Sequence, residues 1–432
     1  MSTRTIPAAT RQARRALGAA AMLGASLALA QTPNPSFALV GHIERFSLDA
    51  PAQPLGSAVM TVRGIPVILP RNLLVTMPGR ETGLAASGTG PAAGGVQGSS
   101  GLALEEANAK GIKLDGDTAK FVLVSKDDQA DPRTAVQVAQ QIADAKVNGM
   151  LGHFNSGTTI PASRVYNDAG IPQIAMATSP EYTLQGYDTT FRMMTSDTQQ
   201  GAAVGVFIVK DLKAKKVAVI DDRTAYGQGL TDQVIAAVKR AGGEIVAREY
   251  TTDKATDFTA ILTSIKAKGA EAIFFGGLDA QSGPMRRQMQ TLGITQPLVS
   301  GEMTRSDTFL KLAGEAANGA VAHVGLTVEA PQLQDFGKRY QALYSGVPDN
   351  NGVKGYTGMY ILKAAIEKAG KVDQKAAAAA IRNSCFSATQ HKGVLMDVCF
   401  DDKGDLDRES FITEIRNGKT VVAETLPPLN KK

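Results

Sequence analysis

The sequence predicts an α/β protein with two lobes, each built around a parallel-type sheet. From about Lys120 onward, short apolar runs alternate with amphipathic segments, which is the pattern of parallel strands covered by helices. These units are too numerous for one sheet of ordinary size. The chain has 432 residues, of which 43% are hydrophobic and 20% charged, so it is long and apolar enough for two or three cores.

The first thirty residues have the pattern of a secretory signal peptide. Four arginines without an acidic residue precede an apolar run at 16–30 that ends in Ala-Leu-Ala. This pattern predicts export and cleavage before Gln31, with twin-arginine export at Arg14-Arg15 as a less favoured route. Without this segment the formal net charge falls from +5 to +1, which removes the basic excess expected of a nucleic-acid-binding protein.

Residues 31–100 depart from the regular alternation. Apolar residues alternate with Gly and Pro at 57–77, which predicts one or two strands. The segment 81–101 is rich in Gly, Ser and Ala and predicts a loop or linker.

The remaining elements follow from apolar periodicity and from capping residues. Asp131 followed by Pro132 predicts the start of a helix, and Asn417-Gly418 predicts a hairpin turn. Strands are predicted at 121–124, 147–154, 171–177, 190–194, 216–220, 244–250, 272–276, 298–301, 319–324, 394–400, 411–415 and 420–423. Helices are predicted after 131 and after 156, and at 198–212, 228–241, 258–267, 281–292, 308–317, 332–344, 354–369 and 374–381.

The chain contains two cysteines, Cys385 and Cys399, which lie 14 positions apart. An oxidising compartment favours a disulfide between them, and two buried free thiols are the alternative.

The stretch 152–166, GHFNSGTTIPASRVY, joins a predicted strand to a predicted helix. It lacks the lysine of a phosphate loop, and Phe154 stands where a nucleophile elbow before Ser156 requires glycine. We interpret His153 as a buried histidine with satisfied hydrogen bonds, and no His or Cys pair has the spacing of metal ligands. The sequence therefore predicts neither catalysis nor a bound metal or cofactor.

Two neighbouring strand-to-helix junctions offer hydrogen-bond donors. Ser156, Thr158 and Thr159 follow one predicted strand, and Thr178-Ser179 follows the next. The carboxyl ends of parallel strands share one edge, and the first N–H groups of a helix favour an anion. A small-carboxylate site and simple helix capping by the same hydroxyls are equally good interpretations of this spacing.

An amino-acid ligand would also need an acidic partner for its ammonium group. Asp221, Asp222, Asp279 and Glu302 stand at the ends of predicted strands, and Tyr226 follows close behind the Asp221-Asp222 strand. Taken singly, a surface position explains each of these acids better than a ligand contact.

Five longer motifs connect these observations. They are 127–183 (DDQADPRTAVQVAQQIADAKVNGMLGHFNSGTTIPASRVYNDAGIPQIAMATSPEYT), 191–201 (FRMMTSDTQQG), 221–230 (DDRTAYGQGL), 257–277 (DFTAILTSIKAKGAEAIFFGG) and 400–406 (FDDKGDL). Together they resemble the branched-chain amino-acid-binding proteins of bacterial ABC importers, over about 101–425. The resemblance implies the type I periplasmic binding fold: two Rossmann-like lobes with parallel-type sheets, joined by a three-stranded hinge and closing on an amino acid.

The resemblance also implies a ligand site with one part on each lobe. On the first lobe the implied contacts, which would hold the α-carboxylate, are Phe154, Asn155, Ser156, Met176, Ala177 and Thr178. On the second lobe Tyr226 would face the ligand and Glu302 would receive the ammonium group. Leu278, where the family often has an aromatic residue, and its neighbour Asp279 complete the predicted site.

The resemblance divides the chain into consecutive parts. We expect a signal peptide at 1–30, an atypical segment at 31–100 with the first strand of lobe 1 and a possible β insert, and lobe 1 at 101–194. Lobe 2 follows at 195–324, the second part of lobe 1 at 325–395, and a hinge strand, a lobe 2 hairpin and a tail at 396–432.

The expected function is that of a periplasmic solute-binding protein, a monomer and not an enzyme. It would capture a branched-chain amino acid, or a related small carboxylate or amide, by lobe closure and deliver it to an ABC permease in the inner membrane. The alternative is a ligand-sensing protein of the same fold that acts on a signalling partner. Neither a cofactor, nor a metal, nor a nucleic acid is expected.

Overall fold

The structure is a computed structural model. The described residues are 43–48, 58–62, 65–69, 81–87, 90–109, 112–114, 117–324, 331–343, 350–406 and 410–426. The predicted signal peptide and its cleavage site before Gln31 lie outside these ranges. The chain forms two compact units, 1–71 and 72–432.

The first unit contains a three-stranded antiparallel sheet in the order β1-β2-β3. Its strands are β1 (Ile43–Leu48), β2 (Ala58–Val62) and β3 (Ile65–Leu69). Two of them lie within 57–77, where the alternation of apolar residues predicted one or two strands.

The second unit contains two sheets, one for each lobe. The first lobe has a six-stranded sheet in the order β5-β6-β4-β7-β8-β9, parallel except for β5. Its strands are β4 (Glu81–Ser87), β5 (Ile112–Leu114), β6 (Asp117–Lys126), β7 (Gly149–Leu151), β8 (Gln173–Ala175) and β9 (Thr190–Arg192).

The second lobe has a seven-stranded sheet in the order β11-β10-β12-β13-β14-β17-β18. Its first five strands are parallel, and β17 and β18 add an antiparallel hairpin at one edge. The strands are β10 (Lys216–Asp221), β11 (Glu244–Tyr250), β12 (Ala272–Gly276), β13 (Leu298–Ser300), β14 (Val321–Val324), β17 (Ser410–Arg416) and β18 (Lys419–Leu426). The short pair β15 (Cys385–Phe386) and β16 (Val398–Cys399) lies between them in the chain and packs in the first lobe.

Helices cover the faces of both sheets. They are α1 (Gly90–Ala109), α2 (Pro132–Asp144), α3 (Ser156–Asp168), α4 (Glu181–Leu184), α5 (Asp197–Lys210), α6 (Ala225–Arg240), α7 (Thr259–Ala267), α8 (Asp279–Thr291), α9 (Asp307–Ala313), α10 (Pro331–Leu343), α11 (Asn350–Ala369) and α12 (Gln374–Ile381). Within the described part of the chain, none of the helices is long and apolar enough to span a membrane.

Strand β10 shows why the strands of the second sheet are continuous apolar runs. Val217 and Val219 pack into one core, and Ala218 and Ile220 into a second core on the opposite face. All four side chains are buried because helices cover both faces of a parallel sheet.

The chain passes between the two lobes three times. The crossings lie between β9 and α5, between β14 and α10, and between β16 and β17. The predicted architecture of two α/β lobes joined by a three-stranded hinge is therefore confirmed.

The segment 81–101 is not the loop or linker that its composition predicted. Residues 81–87 form β4, which pairs in parallel with β6 on one side and with β7 on the other. Helix α1 follows and packs against α11. Backbone hydrogen bonds along both edges of a central strand outweigh the low strand propensity of Gly, Ser and Ala.

Several further predicted elements are shorter than the periodicity suggested, among them the strands expected at 147–154 and 171–177, which are reduced to β7 and β8. The strand expected at 394–400 is reduced to β16, Val398–Cys399. The helix expected at 308–317 ends as α9 at Ala313, because Gly314 takes a left-handed conformation with φ of 59°, and a 3₁₀ turn, Gly314–Ala317, follows.

Cys385 and Cys399 form a disulfide. They face each other as partners in the β15–β16 pair. The predicted bond is confirmed.

Candidate functional site

A cavity lies where the carboxyl ends of strands from the two sheets meet. Its walls include eight of the ten predicted site residues: Phe154, Asn155, Ser156, Met176, Thr178, Tyr226, Leu278 and Glu302. Met194 and Met303 complete the walls and were not predicted. The cavity is thus lined from both lobes, as the resemblance implied, while the ligand contacts themselves stay predictions.

Helix α3 presents its first turn to the cavity from the first lobe. Asn155 stands at its N-cap position, but no side chain forms a capping hydrogen bond there. The Thr158 hydroxyl instead donates to the Asn155 carbonyl over 2.9 Å. The Asn155 side chain thus does not cap this helix, and the positive end of the helix is directed at the cavity.

Ser156 is almost completely buried, with 1% of its surface exposed. Its Oγ accepts a hydrogen bond of 3.2 Å from the backbone N–H of Ser179. Because this bond occupies a lone pair, the hydroxyl proton of Ser156 is left to donate.

Thr178 forms the adjacent part of the first-lobe wall. Its side chain is buried, and its Oγ1 lies near the Asp197 carboxyl without a hydrogen bond of normal geometry. The backbone carbonyls on either side, of Ala177 and Ser179, accept hydrogen bonds from Arg192. Ala177, a predicted site residue, is not among the residues that line the cavity.

Tyr226 comes from the first turn of α6 on the second lobe. Thr224 caps this helix by accepting from the Gly227 N–H, and Asp222 holds Thr224 by accepting from its N–H and its hydroxyl. A Cβ atom at Gly301 would lie 2.5 Å from the Tyr226 hydroxyl, which explains the glycine there.

The hydroxyl of Tyr226 stays protonated, because burial raises its pKa well above the ordinary value. The Met303 N–H lies nearby, but among the described residues no hydrogen bond of normal geometry satisfies this hydroxyl. A buried hydroxyl in this state can both donate to a ligand and accept from one.

Glu302 is the acidic residue of the wall. It begins the 3₁₀ turn Glu302–Thr304 after β13. Desolvation raises its pKa, and the positive charge of Lys354 offsets part of that effect. Asp197 lies nearby and is fully buried, and burial together with the charge of Glu302 raises its pKa to about 8. Burial thus favours the protonated form of Asp197 near neutral pH, and Glu302 is the carboxyl that lines the cavity.

Sequence reasoning missed Met194, Met303 and the buried Lys354, whose Nζ lies 2.7 Å from the Met194 sulfur. Met194 belongs to the motif 191–201, and Met303 directly follows the predicted site residue Glu302. Lys354 carried no local signal, because α11 belongs to the part of the chain that returns to the first lobe only after the second passage between the lobes.

The other predicted acids have local structural roles. Asp279 begins α8, its carboxylate accepts from the Ser306 hydroxyl over 2.6 Å, and it is not among the residues that line the cavity. Asp221 is buried and pairs with Arg248 at 3.5 Å. Only Glu302 among the four candidate acids lines the cavity.

His153 is a buried histidine with both ring nitrogens satisfied, as predicted. Its Nδ1 lies 2.6 Å from an oxygen of Asp128, and its Nε2 lies 3.0 Å from the hydroxyl of Tyr166. Over the described residues, no three His, Cys, Asp or Glu side chains come together as metal ligands.

Gly157, in the first turn of α3, is where the lobes approach each other. A Cβ atom placed on Gly157 would lie 3.9 Å from the Cβ of Ala225 at the start of α6. The two helix starts thus face each other beside the cavity.

Known proteins share this architecture. The sequence profile of a periplasmic binding protein family matches residues 79–420. Relatives include an amino acid binding protein of Pseudomonas aeruginosa, 35% identical over 83% of this chain and 94% of that protein. A Leu/Ile/Val-binding protein homolog of Brucella suis is 33% identical over 72% of this chain and 82% of that protein. The crystal structure of a leucine binding protein from Thermotoga maritima, 24% identical, matches with a TM-score of 0.71 over 80% of this chain and 99% of that one. The chain therefore belongs to the periplasmic binding protein family.

Proposed function

We propose that this protein is exported to the periplasm, captures an amino acid in the cleft by closing its two lobes, and delivers it to an ABC permease. The observation that carries the proposal is the division of polar groups across the cavity. Neutral donors stand on the first lobe, and an acid with a tyrosine hydroxyl stands on the second. This arrangement is complementary to the two charged ends of an amino-acid backbone.

The first-lobe wall suits a carboxylate. The Ser156 hydroxyl has a proton to donate, the Thr178 hydroxyl is unsatisfied, and the first turn of α3 adds the positive end of a helix dipole. A single negative charge can be held by neutral donors alone, because exclusion of water strengthens each hydrogen bond.

The second-lobe wall suits an ammonium group. Glu302 supplies the charge, and the buried Tyr226 hydroxyl can accept a hydrogen bond beside it. The raised pKa of Glu302 means that binding of the ammonium group also stabilises the charged form of this carboxyl.

The rest of the wall suits an apolar side chain. Met176, Met194, Met303, Leu278 and Phe154 supply it. Methionine is flexible and polarizable and fills irregular gaps, so this pocket should accept apolar side chains of several shapes. The names of the relatives, amino acid binding protein and Leu/Ile/Val-binding protein homolog, support a ligand of this class.

Calorimetry with the twenty amino acids tests the proposal. We expect binding of apolar amino acids, and we expect isoamylamine and 4-methylpentanoate, which each lack one charged end of leucine, to bind much more weakly. Glu302→Gln should weaken leucine binding by about 2–5 kcal/mol, because it leaves the buried ammonium group without its charge partner. The same change should leave the affinity for 4-methylpentanoate nearly as it was. If well-folded protein binds none of the twenty amino acids, the proposal is wrong.

A further inference from the structure

Arg192 is a fully buried arginine whose guanidinium group lies behind the first-lobe wall of the cleft. One terminal nitrogen, Nη1, donates to the carbonyls of Ala177 and Ser179, both over 2.8 Å. The other, Nη2, donates to the Thr183 hydroxyl over 2.8 Å, and Nε donates to the Asp405 carboxylate over 2.6 Å. Four acceptors from three parts of the chain thus converge on one side chain.

These bonds determine which way the wall segment 177–179 faces. Arg192 holds the carbonyls of Ala177 and Ser179, and the Asp197 N–H holds the carbonyl of Thr178 over 2.8 Å. All three carbonyl oxygens are therefore engaged by groups other than a ligand. The N–H of Ser179 is directed to Ser156 Oγ, and that bond leaves the hydroxyl proton of Ser156 available to the cavity.

Asp405, the charged partner of Arg192, lies on the third passage between the lobes. It follows β16 in the first lobe and precedes β17 in the second. The turn that carries it is held by the Asp401 carboxylate, which accepts from the Asp405 N–H over 2.7 Å. Gly404 packs so closely on the first lobe that a Cβ atom there would collide with the Thr190 carbonyl, and its own carbonyl accepts from the Arg192 N–H over 2.8 Å.

We propose that the Arg192–Asp405 pair is a positioning device that connects the ligand-facing segment 177–179 to the third inter-lobe passage. The pair keeps Ser156 in a donating orientation, and it transmits the position of the passage to the ligand site. Movement of the passage during lobe opening then disturbs the carboxylate-binding wall, and binding at that wall favours the closed arrangement. Its effect on affinity rests on the proposed function, whereas its effect on segment 177–179 does not.

A purely structural role is the competing explanation, since an uncompensated buried arginine destabilises any fold. Asp405→Asn is the appropriate variant, because it keeps the shape and one acceptor oxygen but removes the charge. Asp402→Asn is the matched control, because it makes the same change at an exposed residue of the same turn, three positions earlier in the chain.

Hydrogen–deuterium exchange of the ligand-free protein gives the first test. In Asp405→Asn we expect the amides of 177–183 and of Asp197 to exchange roughly tenfold faster, because the bonds that hold this segment are weakened. Strand β10 in the second lobe serves as the internal reference and should exchange as in the wild type, and Asp402→Asn should change neither segment. Unchanged exchange at 177–183, or equal acceleration throughout both lobes, would overturn the proposal.

Calorimetry with L-leucine as the probe gives the second test. Asp405→Asn should weaken leucine binding roughly tenfold, and Asp402→Asn should leave it unchanged. Because the pair acts through Ser156, adding Asp405→Asn to Ser156→Ala should cost little further affinity. Fully additive losses would mean that the pair does not act through Ser156. If wild-type protein binds no leucine, the calorimetry is repeated with the amino acid that binds best, and the exchange measurement decides the role of the pair independently of the ligand.

Discussion

Ser156→Ala tests the role of one hydroxyl group in both ligand binding and folding stability. In the structure Ser156 Oγ accepts from the Ser179 N–H over 3.2 Å, and its own proton points to no protein acceptor among the hydrogen bonds of the described residues. The proposed function assigns that proton to the ligand carboxylate. The substitution therefore removes one ligand contact and also leaves one buried N–H without its acceptor.

The two losses have different magnitudes and different readouts. A hydrogen bond to a charged group contributes about 1.5–3 kcal/mol, which corresponds to a loss of affinity of roughly 10- to 150-fold. The unsatisfied Ser179 N–H costs about 1–3 kcal/mol of folding free energy, because Ser179 is buried.

Calorimetry with the best-binding amino acid measures the first loss, and urea unfolding of the ligand-free protein measures the second. Ser163→Ala is the matched control, because Ser163 is a buried serine of the same helix whose hydroxyl donates to the Ile160 carbonyl over 2.7 Å. It should lower stability and leave affinity unchanged. If Ser156→Ala binds ligand as tightly as the wild type, the assignment of this hydroxyl to the carboxylate is wrong.

Three further predictions follow from other parts of the fold. Gly157→Phe should hold the lobes apart, which would abolish tight ligand binding and give a larger radius of gyration in X-ray scattering with ligand present. Gly337→Phe is the control, because a Cβ atom there meets nothing within 4 Å, and it should change neither quantity. Full ligand affinity of Gly157→Phe would contradict the contact between the lobes at this position. Folding raises the pKa of Asp197 to about 8, so between about pH 4 and pH 8 the folded protein holds a proton that the unfolded chain releases. Because of this group, the free energy of unfolding should fall by about 1.4 kcal/mol for each pH unit of increase in that range. Urea titrations of Asp197→Asn across this pH range should lack this contribution to the slope. Identical slopes in the variant and the wild type would refute the raised pKa of Asp197. Replacing Cys385 and Cys399, 14 positions apart, with serine should lower the free energy of unfolding by about 3 kcal/mol, and an unchanged unfolding midpoint would count against a stabilising disulfide.

Local sequence signals predicted most elements where capping and periodicity agree. Asp131 accepts from the Thr134 N–H and Pro132 occupies the first turn of α2, as the Asp-Pro pair predicted. Strands β11 and β12 span the residues that the sequence predicted for them. These signals suffice because a cap or an alternating run is satisfied by its own neighbours in the chain.

Strand β4 shows where such signals fail. Its sequence, ETGLAAS, has few of the β-branched and aromatic residues that favour strands. Its stability comes from pairing with β6 and β7, and both partners lie later in the chain. A prediction from local composition takes no account of pairing with strands that lie later in the chain.

The sequence also predicted only part of the candidate site. Ser156, Thr178, Tyr226 and Glu302 were predicted because each follows a predicted strand, and the carboxyl ends of parallel strands meet at one edge. Asp279 met the same condition, but the start of α8 turned its carboxylate toward Ser306. The sequence places a residue at a strand end, but only the backbone course of the next turn decides where its side chain points.

By itself, then, the sequence determined the α/β alternation, the two-lobed family and the strand ends that carry the cleft. The tertiary structure alone decided that β4 is a central strand and that Met194 and Met303 meet at one cavity, with Lys354 beside Met194. It alone decided that Arg192 meets Asp405 across 213 positions of the chain. The physical reason is that helix caps and hydrophobic periodicity depend on residues close together in the chain. Sheet pairing, buried charge and close packing depend on segments that only folding brings together.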